Sequence, residues 1–201
     1  GGGAPPPPPA PRAPSPPPPH RAPLPGTNRI PAPGCNVTAT TLALQPGIAE
    51  GLVESQDIVA DLVVGYSGAG KNLKRTNLLA AEALQSALPY SVGGKHRHIH
   101  EILQNFAHAA GKSAAEASEF TLGFTPILAP MSRGILATVS ARMTDKAKTL
   151  SDEEIRAVWS KAYEGQDFMV LLPDGPPPAA GKMNRKKENE KEEENKKKKG
   201  G

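Results

Sequence analysis

PGCNVTATTLAL, residues 33–44, marks the boundary between a proline-rich segment and an apolar helical pattern. It contains the chain's one cysteine, Cys35, on a Gly turn just ahead of the predicted helix. At such a position, unpaired N–H groups and the positive end of the helix dipole favour the thiolate, which is the nucleophilic form of cysteine. A lone cysteine is also commonly a small buried apolar residue, so this stretch leaves both packing and catalysis open.

The two ends of the chain lack the apolar residues that a core needs. Residues 1–33 hold 15 of the 23 prolines, a composition that favours extended polyproline II, and we expect this segment to be disordered. Residues 176–201 are the second segment expected to be disordered. The last 20 residues hold nine basic and five acidic side chains, which account for the whole net charge of +4. Such a run is typical of solvated low-complexity sequence, so we expect no nucleic-acid partner.

Residues 34–175 remain as one domain that is long enough to bury a core. One cysteine excludes an intramolecular disulfide and fits a reducing compartment. No apolar run approaches the ~20 residues of a membrane helix, and the start of the chain is not of the signal-peptide type. We therefore expect a cytoplasmic protein with no membrane partner. Because the chain begins with Gly rather than Met, we also expect it to be an excerpt or a conceptual translation, and not a complete natural product.

Helices and strands alternate closely along this domain. The pattern predicts helices at 38–52 (capped by Thr38 and bent at Pro46), 77–88, 101–110, and from the capping box at Ser151 to a stop at Gly165. It predicts strands at 57–64, 119–128, 134–143 and 168–172. Elements mixed at this density indicate an α/β or α+β fold.

The loop Gly-Tyr-Ser-Gly-Ala-Gly-Lys at 65–71 follows the first predicted strand. It fits the Gly-x4-Gly-Lys part of a phosphate-binding loop, but Asn72 stands where such a loop needs Ser or Thr. Two other interpretations remain. The backbone N–H groups and Ser67 approach a ligand, or the segment is an ordinary glycine-rich turn.

His96, Arg97 and His98, with His100 shortly after, form the third candidate group. An extended segment would place the three histidines on one side and Arg97 on the other. Three histidines this close on one strand have poor tetrahedral geometry, so a base beside Cys35 is favoured over a zinc site. Arg97 and Arg133 are candidate clamps for a substrate anion, with a plain surface charge as the alternative for each.

Four motifs in order, PGCNVTATTLAL, GYSGAGK, GGKHRHIHEI and FTPILAPMSRGILATVSAR, resemble the N-acetyl-γ-glutamyl-phosphate reductase family of arginine biosynthesis. The resemblance spans roughly residues 24–175. It implies that Cys35 is the nucleophile and that His98 is the base, with His96 as the close alternative. It also implies candidate binding residues: Ser67, Gly68 and Gly70 for the cofactor NADP, and Arg97, Arg133 and Tyr90 for the substrate.

The resemblance implies an α+β fold with a mixed sheet and packed helices, like the C-terminal catalytic and dimerisation domain of the semialdehyde and glyceraldehyde-phosphate dehydrogenases. It implies a homo-oligomer that reduces an acyl phosphate through a Cys35 thioester with hydride from NADPH. The family's Rossmann glycine fingerprint does not occur in this sequence, and His100 replaces the family's usual proline. We therefore expect this chain alone, truncated at both ends, to bind NADPH poorly and turn over slowly or not at all.

Two other functions stay open from the sequence. One is a non-enzymatic interaction protein, in which the polyproline arm at 1–33 binds an SH3- or WW-type groove beside a residual fold. The other is a related semialdehyde dehydrogenase that acts on a different acyl phosphate, against which the His-Arg-His motif argues.

Overall fold

The computed structural model describes residues 33–69 and 86–173. Both segments expected to be disordered lie outside these residues, apart from Pro33, as do Gly70 and most of the helix expected at 77–88. The described helices are α1 (Cys35–Ala49), α2 (His98–Ala109), α3 (Asp145–Lys148) and α4 (Asp152–Tyr163), with 3₁₀ helices at Tyr66–Ala69 and Ala114–Glu119. The strands are β1 (Ile58–Val64), β2 (Leu88–Pro89), β3 (Leu122–Leu128) and β4 (Ile135–Ser140).

These strands form one mixed sheet in the order β2-β3-β1-β4. Strands β1 and β3 run parallel, with Ile58 opposite Leu122. Strand β4 lies antiparallel to β1, and the short β2 lies antiparallel to β3. The expected α+β fold with a mixed sheet and packed helices is thus confirmed.

The core lies between one face of this sheet and the helices α1 and α2. Alternate residues of β1 are buried because they face those helices, as the two-residue period of a strand requires. Phe124 of β3 joins them, and Val37 of α1 and Phe106 of α2 pack from the helical side. The first turns of both helices lie beside the carboxyl ends of β1 and β3, where residues of both helices, of β3 and of the turn after β1 border one cavity. No helix among the described residues is long and apolar enough to cross a membrane.

Helix α1 begins three residues earlier than the sequence predicts. Gly34, in extended conformation, is the residue before its first turn. Thr38 is not the cap: its backbone N–H donates to the Gly34 carbonyl at 3.0 Å, and its hydroxyl donates to the same oxygen at 3.2 Å. Pro46 lies inside the helix, which continues to Ala49. The shift matters because it makes Cys35 the first residue of α1.

Three other predictions are corrected and one is confirmed. The strand at 168–172 is wrong: this segment is irregular after α4, and Phe168 is 92% exposed. Residues 114–119 form a 3₁₀ helix, so β3 starts only at Leu122. Leu88, expected to end a helix, opens β2. The capping box of α4 is confirmed, since the Glu154 N–H donates to the Ser151 hydroxyl at 3.3 Å and the Ser151 N–H donates to the Glu154 carboxylate at 2.8 Å.

Candidate active site

A cavity of about 340 Å³ opens where the first turns of α1 and α2 meet the carboxyl ends of β1 and β3. Its volume is in the range of small-molecule sites. Its walls combine the start of α1, the 3₁₀ turn after β1, the segment that follows β2, and the start of α2. The side chains that can carry chemistry there are Cys35, Asn36, Tyr90, Lys95, His96, Arg97 and His98.

Cys35 and His98 meet in this cavity through the glycine that precedes the cysteine. A Cβ atom on Gly34 would lie 2.3 Å from Nε2 and 2.5 Å from Cε1 of His98. These distances are far below contact, so the His98 imidazole lies directly against the Gly34 backbone. The exposed thiol of Cys35 follows immediately in the chain. Glycine at 34 is therefore what allows the imidazole and the thiol to share one end of the cavity.

The two histidines are arranged by the start of α2, and the extended alternation predicted for 96–100 is wrong. The His98 backbone N–H donates to Nδ1 of His96 at 3.1 Å, which satisfies a first-turn donor that has no partner within the helix. The two rings lie edge to face with centroids 4.6 Å apart. Because the chain turns into a helix here, His100 does not join them: it is exposed and lies outside the cavity lining.

His96 is held between aromatic rings, with centroids 5.1 Å from Phe124 and 5.7 Å from Tyr90. Burial lowers the pKa of His96, and the neighbouring charge of Arg97 lowers it further. His96 is thus neutral near pH 7. Since its Nδ1 accepts the His98 N–H, its own ring proton resides on Nε2.

Asn36 is a site residue that the sequence analysis missed. Its side chain is only 1% exposed, and it connects the thiol to a phenol. The Cys35 thiol donates to Oδ1 at 3.8 Å, and Nδ2 donates to the Tyr90 hydroxyl at 3.2 Å. Burial raises the pKa of Tyr90; the Asn36 hydrogen bond lowers it by less, and charge on Cys35 adds the smallest contribution, a rise. The sequence carried one signal for Asn36: it directly follows the cysteine, on a helix whose other face packs into the core.

Tyr90 reaches the cavity because its own backbone N–H donates to the Pro126 carbonyl of β3 at 3.1 Å. The turn that follows contains Gly93 and Gly94 at φ of +71° and +75°, a conformation that glycine adopts without strain. This turn leads back to Lys95 and Arg97. Two cations therefore border the same cavity as the thiol.

The glycine-rich loop after β1 does not cradle phosphates in its described part. The N–H groups of Gly65, Tyr66 and Ser67 donate to carbonyls at residues 134, 131 and 132, at 2.9, 2.9 and 3.2 Å. A Cβ atom on Gly65 would lie 2.9 Å from the Arg133 backbone, so the loop packs tightly against the β3–β4 connection. Gly68 lines the cavity and Ser67 does not.

The remaining predicted site residues also lie either in the cavity lining or outside it. Arg97 lines the cavity, whereas Arg133 is not among the described residues that do so. Gly70 lies outside the described residues. Across residues 33–69 and 86–173, no three His, Cys, Asp or Glu side chains are arranged to hold a metal ion. The site that the structure assembles is thus a thiol, two imidazoles, an amide, a phenol and two cations.

Several curated proteins are similar in sequence to this chain. Curated relatives named N-acetyl-gamma-glutamyl-phosphate reductase are 96% identical over 154 residues in Bifidobacterium longum strain DJO10A, 69% over 152 residues in Bifidobacterium animalis subsp. lactis, and 51% over 152 residues in Leifsonia xyli. Each match covers 76–77% of this chain and 41–42% of the relative. The chain therefore spans about two fifths of the length of these relatives.

A solved structure, a probable aspartate-semialdehyde dehydrogenase from Pseudomonas aeruginosa, is 17% identical with a TM-score of 0.43, over 75% of this chain and 47% of that one. The family model for the semialdehyde dehydrogenase dimerisation domain matches residues 35–198. The relatives confirm the resemblance that the four motifs indicated. The chain thus belongs to the family of semialdehyde dehydrogenase dimerisation domains.

Proposed function

We propose that this domain carries the acyl-transfer centre of an N-acetyl-γ-glutamyl-phosphate reductase, an oxidoreductase of arginine biosynthesis. One observation carries the proposal: the His98 imidazole lies against Gly34, the residue directly before the thiol of Cys35. A thiol next to a histidine at the start of a helix is the arrangement that activates a cysteine nucleophile. The names of the relatives supply the substrate class.

In the first step, the Cys35 sulfur attacks the acyl carbon of the acyl phosphate. A carbon–sulfur bond forms, the carbon–oxygen bond to phosphate breaks, and inorganic phosphate leaves. The thiol proton passes to His98. The N–H groups of the first turn of α1, which have no carbonyl partner within the helix, are donors for the oxygen that becomes negative in the tetrahedral intermediate.

His98 is the base in this scheme and His96 is a positioning residue. Neutral His96 has one basic ring nitrogen, Nδ1, and that atom already accepts the His98 backbone N–H. Accepting a proton there would break the bond at the start of α2. The arrangement therefore supports His98 as the group that removes the thiol proton.

Lys95, Arg97 and Tyr90 are the groups for holding the substrate, because they border the cavity with the thiol. The guanidinium of Arg97 matches a phosphate or a carboxylate in a bidentate fashion, and Lys95 adds a point charge. Tyr90 supplies a neutral hydroxyl, since burial raises its pKa. Arg133, which does not line the cavity, is not given this role.

We propose NADP as the cofactor, on the motif resemblance. One described residue supports a place for it: Gly68, expected to bind the cofactor, borders the same cavity as the thiol. The described residues do not fit its phosphates, because the N–H groups of the preceding loop are already used. When bound, the cofactor supplies the hydride that reduces the thioester. Cys35 holds the acyl group in place for that step.

We also propose that the domain forms a homo-oligomer and works in the reducing cytoplasm. The face of the sheet opposite the helices supports the first proposal. Val59 of β1 is 42% exposed and Leu136 of β4 is 41% exposed, and the strand register places both on that face. The single cysteine supports the second.

The test is release of inorganic phosphate from N-acetyl-γ-glutamyl phosphate by the whole chain without a hydride donor. We expect release of one equivalent, and a His98→Gln variant slower by at least about 10²-fold. His96→Asn keeps a hydrogen-bond acceptor near the Nδ1 position, and we expect it to stay within about tenfold of the unmodified chain. His100→Gln is the matched control outside the cavity. Release from β-aspartyl phosphate at the same rate would contradict the substrate assignment, and equal loss in all three variants would contradict the role of His98.

A further inference from the structure

We propose that Asn36 is a positioning residue that turns its side-chain amide to match the protonation state of Cys35, and that it thereby couples the thiol to Tyr90. The proposal rests on the proposed function in one respect, since it takes Cys35 as the nucleophile. It concerns how the chain prepares the thiolate before any substrate binds.

The Asn36 amide stands between two groups that can each act as donor or acceptor. Its Oδ1 accepts a hydrogen bond from the Cys35 thiol, with 3.8 Å between sulfur and oxygen. Its Nδ2 donates to the Tyr90 hydroxyl at 3.2 Å. The side chain is only 1% exposed, so water does not replace either partner freely. A buried amide that loses a partner costs free energy, and both ends of this one must therefore stay matched.

When Cys35 loses its proton, the hydrogen bond from the thiol to Oδ1 is lost as long as the amide keeps its present orientation. A thiolate only accepts hydrogen bonds, and Oδ1 also only accepts. The amide oxygen would then face a negative sulfur. A half-turn of the amide about its last side-chain bond exchanges its two ends. Nδ2 then donates to the sulfur and Oδ1 faces Tyr90.

Tyr90 can follow this exchange because its hydroxyl donates as well as accepts. In the thiol state it accepts from Nδ2, so its proton is directed elsewhere in the cavity. In the thiolate state it donates to Oδ1. Burial raises the pKa of Tyr90, so the proton needed for this second state is retained. Every polar atom of the three groups is thus partnered in both states.

Other titratable and charged groups border the same cavity as the thiol. The titratable and charged side chains that share the cavity with Cys35 are Tyr90, Lys95, His96, Arg97 and His98. All of them except Tyr90 stay unchanged in the variants below. A difference between variants therefore reports the amide and the phenol, and not the surrounding charge.

The test is the rate of Cys35 alkylation by iodoacetamide in the whole chain as a function of pH. Asn36→Leu removes both hydrogen-bonding ends, and we expect the pH midpoint to rise by about one unit. Tyr90→Phe removes the donor to Oδ1, and we expect a smaller rise, about half a unit. Tyr163→Phe is the matched control, because it makes the same change at a tyrosine outside the cavity: it should lower stability but leave the midpoint in place.

The double variant, Asn36→Leu with Tyr90→Phe, shows whether Tyr90 acts on the thiol through the Asn36 amide or directly. If Tyr90 acts through the amide, Tyr90→Phe has no effect in the Asn36→Leu background. An equal shift in both backgrounds, or no shift from Tyr90→Phe alone, would overturn the proposal. If Asn36→Leu does not fold by circular dichroism, Asn36→Ala serves as the second background.

The unmodified chain provides a measurement that needs no variant. The side-chain amide signals of Asn36 in a ¹⁵N–¹H spectrum should move between two positions with the midpoint of alkylation. Signals that stay in place while the thiol ionises would overturn the rotation. Because alkylation needs no acyl phosphate, these outcomes are independent of whether Cys35 is acylated, and the two proposals can fail separately.

Discussion

Gly34 is the residue on which the geometry of the site depends most directly. Its backbone occupies the space beside the His98 ring that any other residue would fill with a side chain. The sequence pointed to this position through the Pro-Gly-Cys motif. It did not show what the glycine faces, because the histidine comes from a helix more than sixty residues later in the chain.

Gly34→Ala should therefore displace the His98 imidazole and slow acylation of Cys35 by about 10²-fold, since an error of about 1 Å in a catalytic group has that effect. The measurement is phosphate release under single-turnover conditions. Gly123→Ala is the matched control, because a Cβ atom there meets Val59 at an ordinary 3.7 Å. A Gly34→Ala variant as fast as the control would mean that the contact with His98 has no part in the reaction.

His96 makes folding stability depend on pH in a defined direction. Its pKa is lowered in the folded chain, by burial first and by Arg97 second, so the unfolded chain binds the proton more readily. The contribution of His96 to folding stability is present above its pKa in the unfolded chain, about 6.5. It is lost as the pH falls from there through the lower pKa of the folded chain. We expect the thermal midpoint to fall over this window, and His96→Asn to flatten the curve. A curve of the same slope in the variant would assign the effect to other groups.

At the scale of elements, α1 contains a proline that α4 compensates. Pro46 has no N–H, so the Leu42 carbonyl one turn earlier has no donor within the helix. The Tyr163 hydroxyl of α4 donates to that carbonyl, and the Trp159 indole N–H donates to the next one, Ala43, at 2.9 Å. Helix α1 therefore continues through Pro46 because a second helix supplies the donor.

Tyr163→Phe should lower the free energy of unfolding by about 1–2 kcal/mol, the cost of leaving a carbonyl without a partner. Pro46→Ala restores a backbone N–H, so the combined variant should lose clearly less than Tyr163→Phe alone. Urea unfolding of the four chains measures both effects. Additive losses in the combined variant would show that the hydroxyl is not replacing the missing helical donor.

The sequence predicted some elements well because their signals are local. The capping box at Ser151, the apolar β-branched run of β1 and the alternation in β4 depend on neighbouring residues, and the structure confirms these elements. The strand expected at 168–172 failed, because an apolar run forms a strand only where a partner strand lies beside it. The His96–His100 segment failed because a side-chain acceptor at His96 starts a helix, which residue alternation does not reveal. The motifs predicted Cys35 and His98 as site residues, and the fold places both at one cavity, whereas Asn36 was recognised only from the fold.

At the scale of the whole molecule, the sheet has two unlike faces. One is covered by α1 and α2, and the other shows Val59 and Leu136 beside the polar side chains of β1 and β4. A sheet face that no helix covers and that exposes apolar side chains is a candidate interface between subunits. The family name describes a dimerisation domain, and this face is the surface that we assign to it.

Leu136→Glu should therefore shift the chain from dimer to monomer in sedimentation velocity, because a carboxylate would lose its water in the interface. Phe168→Glu is the control: it also replaces an exposed apolar residue, but one that lies outside the sheet. A Leu136→Glu chain that sediments like the unmodified one would move the interface elsewhere.

The proposed function requires that Cys35 becomes acylated by an acyl phosphate within this domain. The most direct measurement is the intact mass of the chain after mixing with N-acetyl-γ-glutamyl phosphate without a hydride donor, followed by mapping of the modified peptide. We expect one N-acetylglutamyl group on the Cys35 peptide, removed by hydroxylamine and absent from Cys35→Ser. An unmodified Cys35 in a folded chain, or an acyl group on another residue, would contradict it.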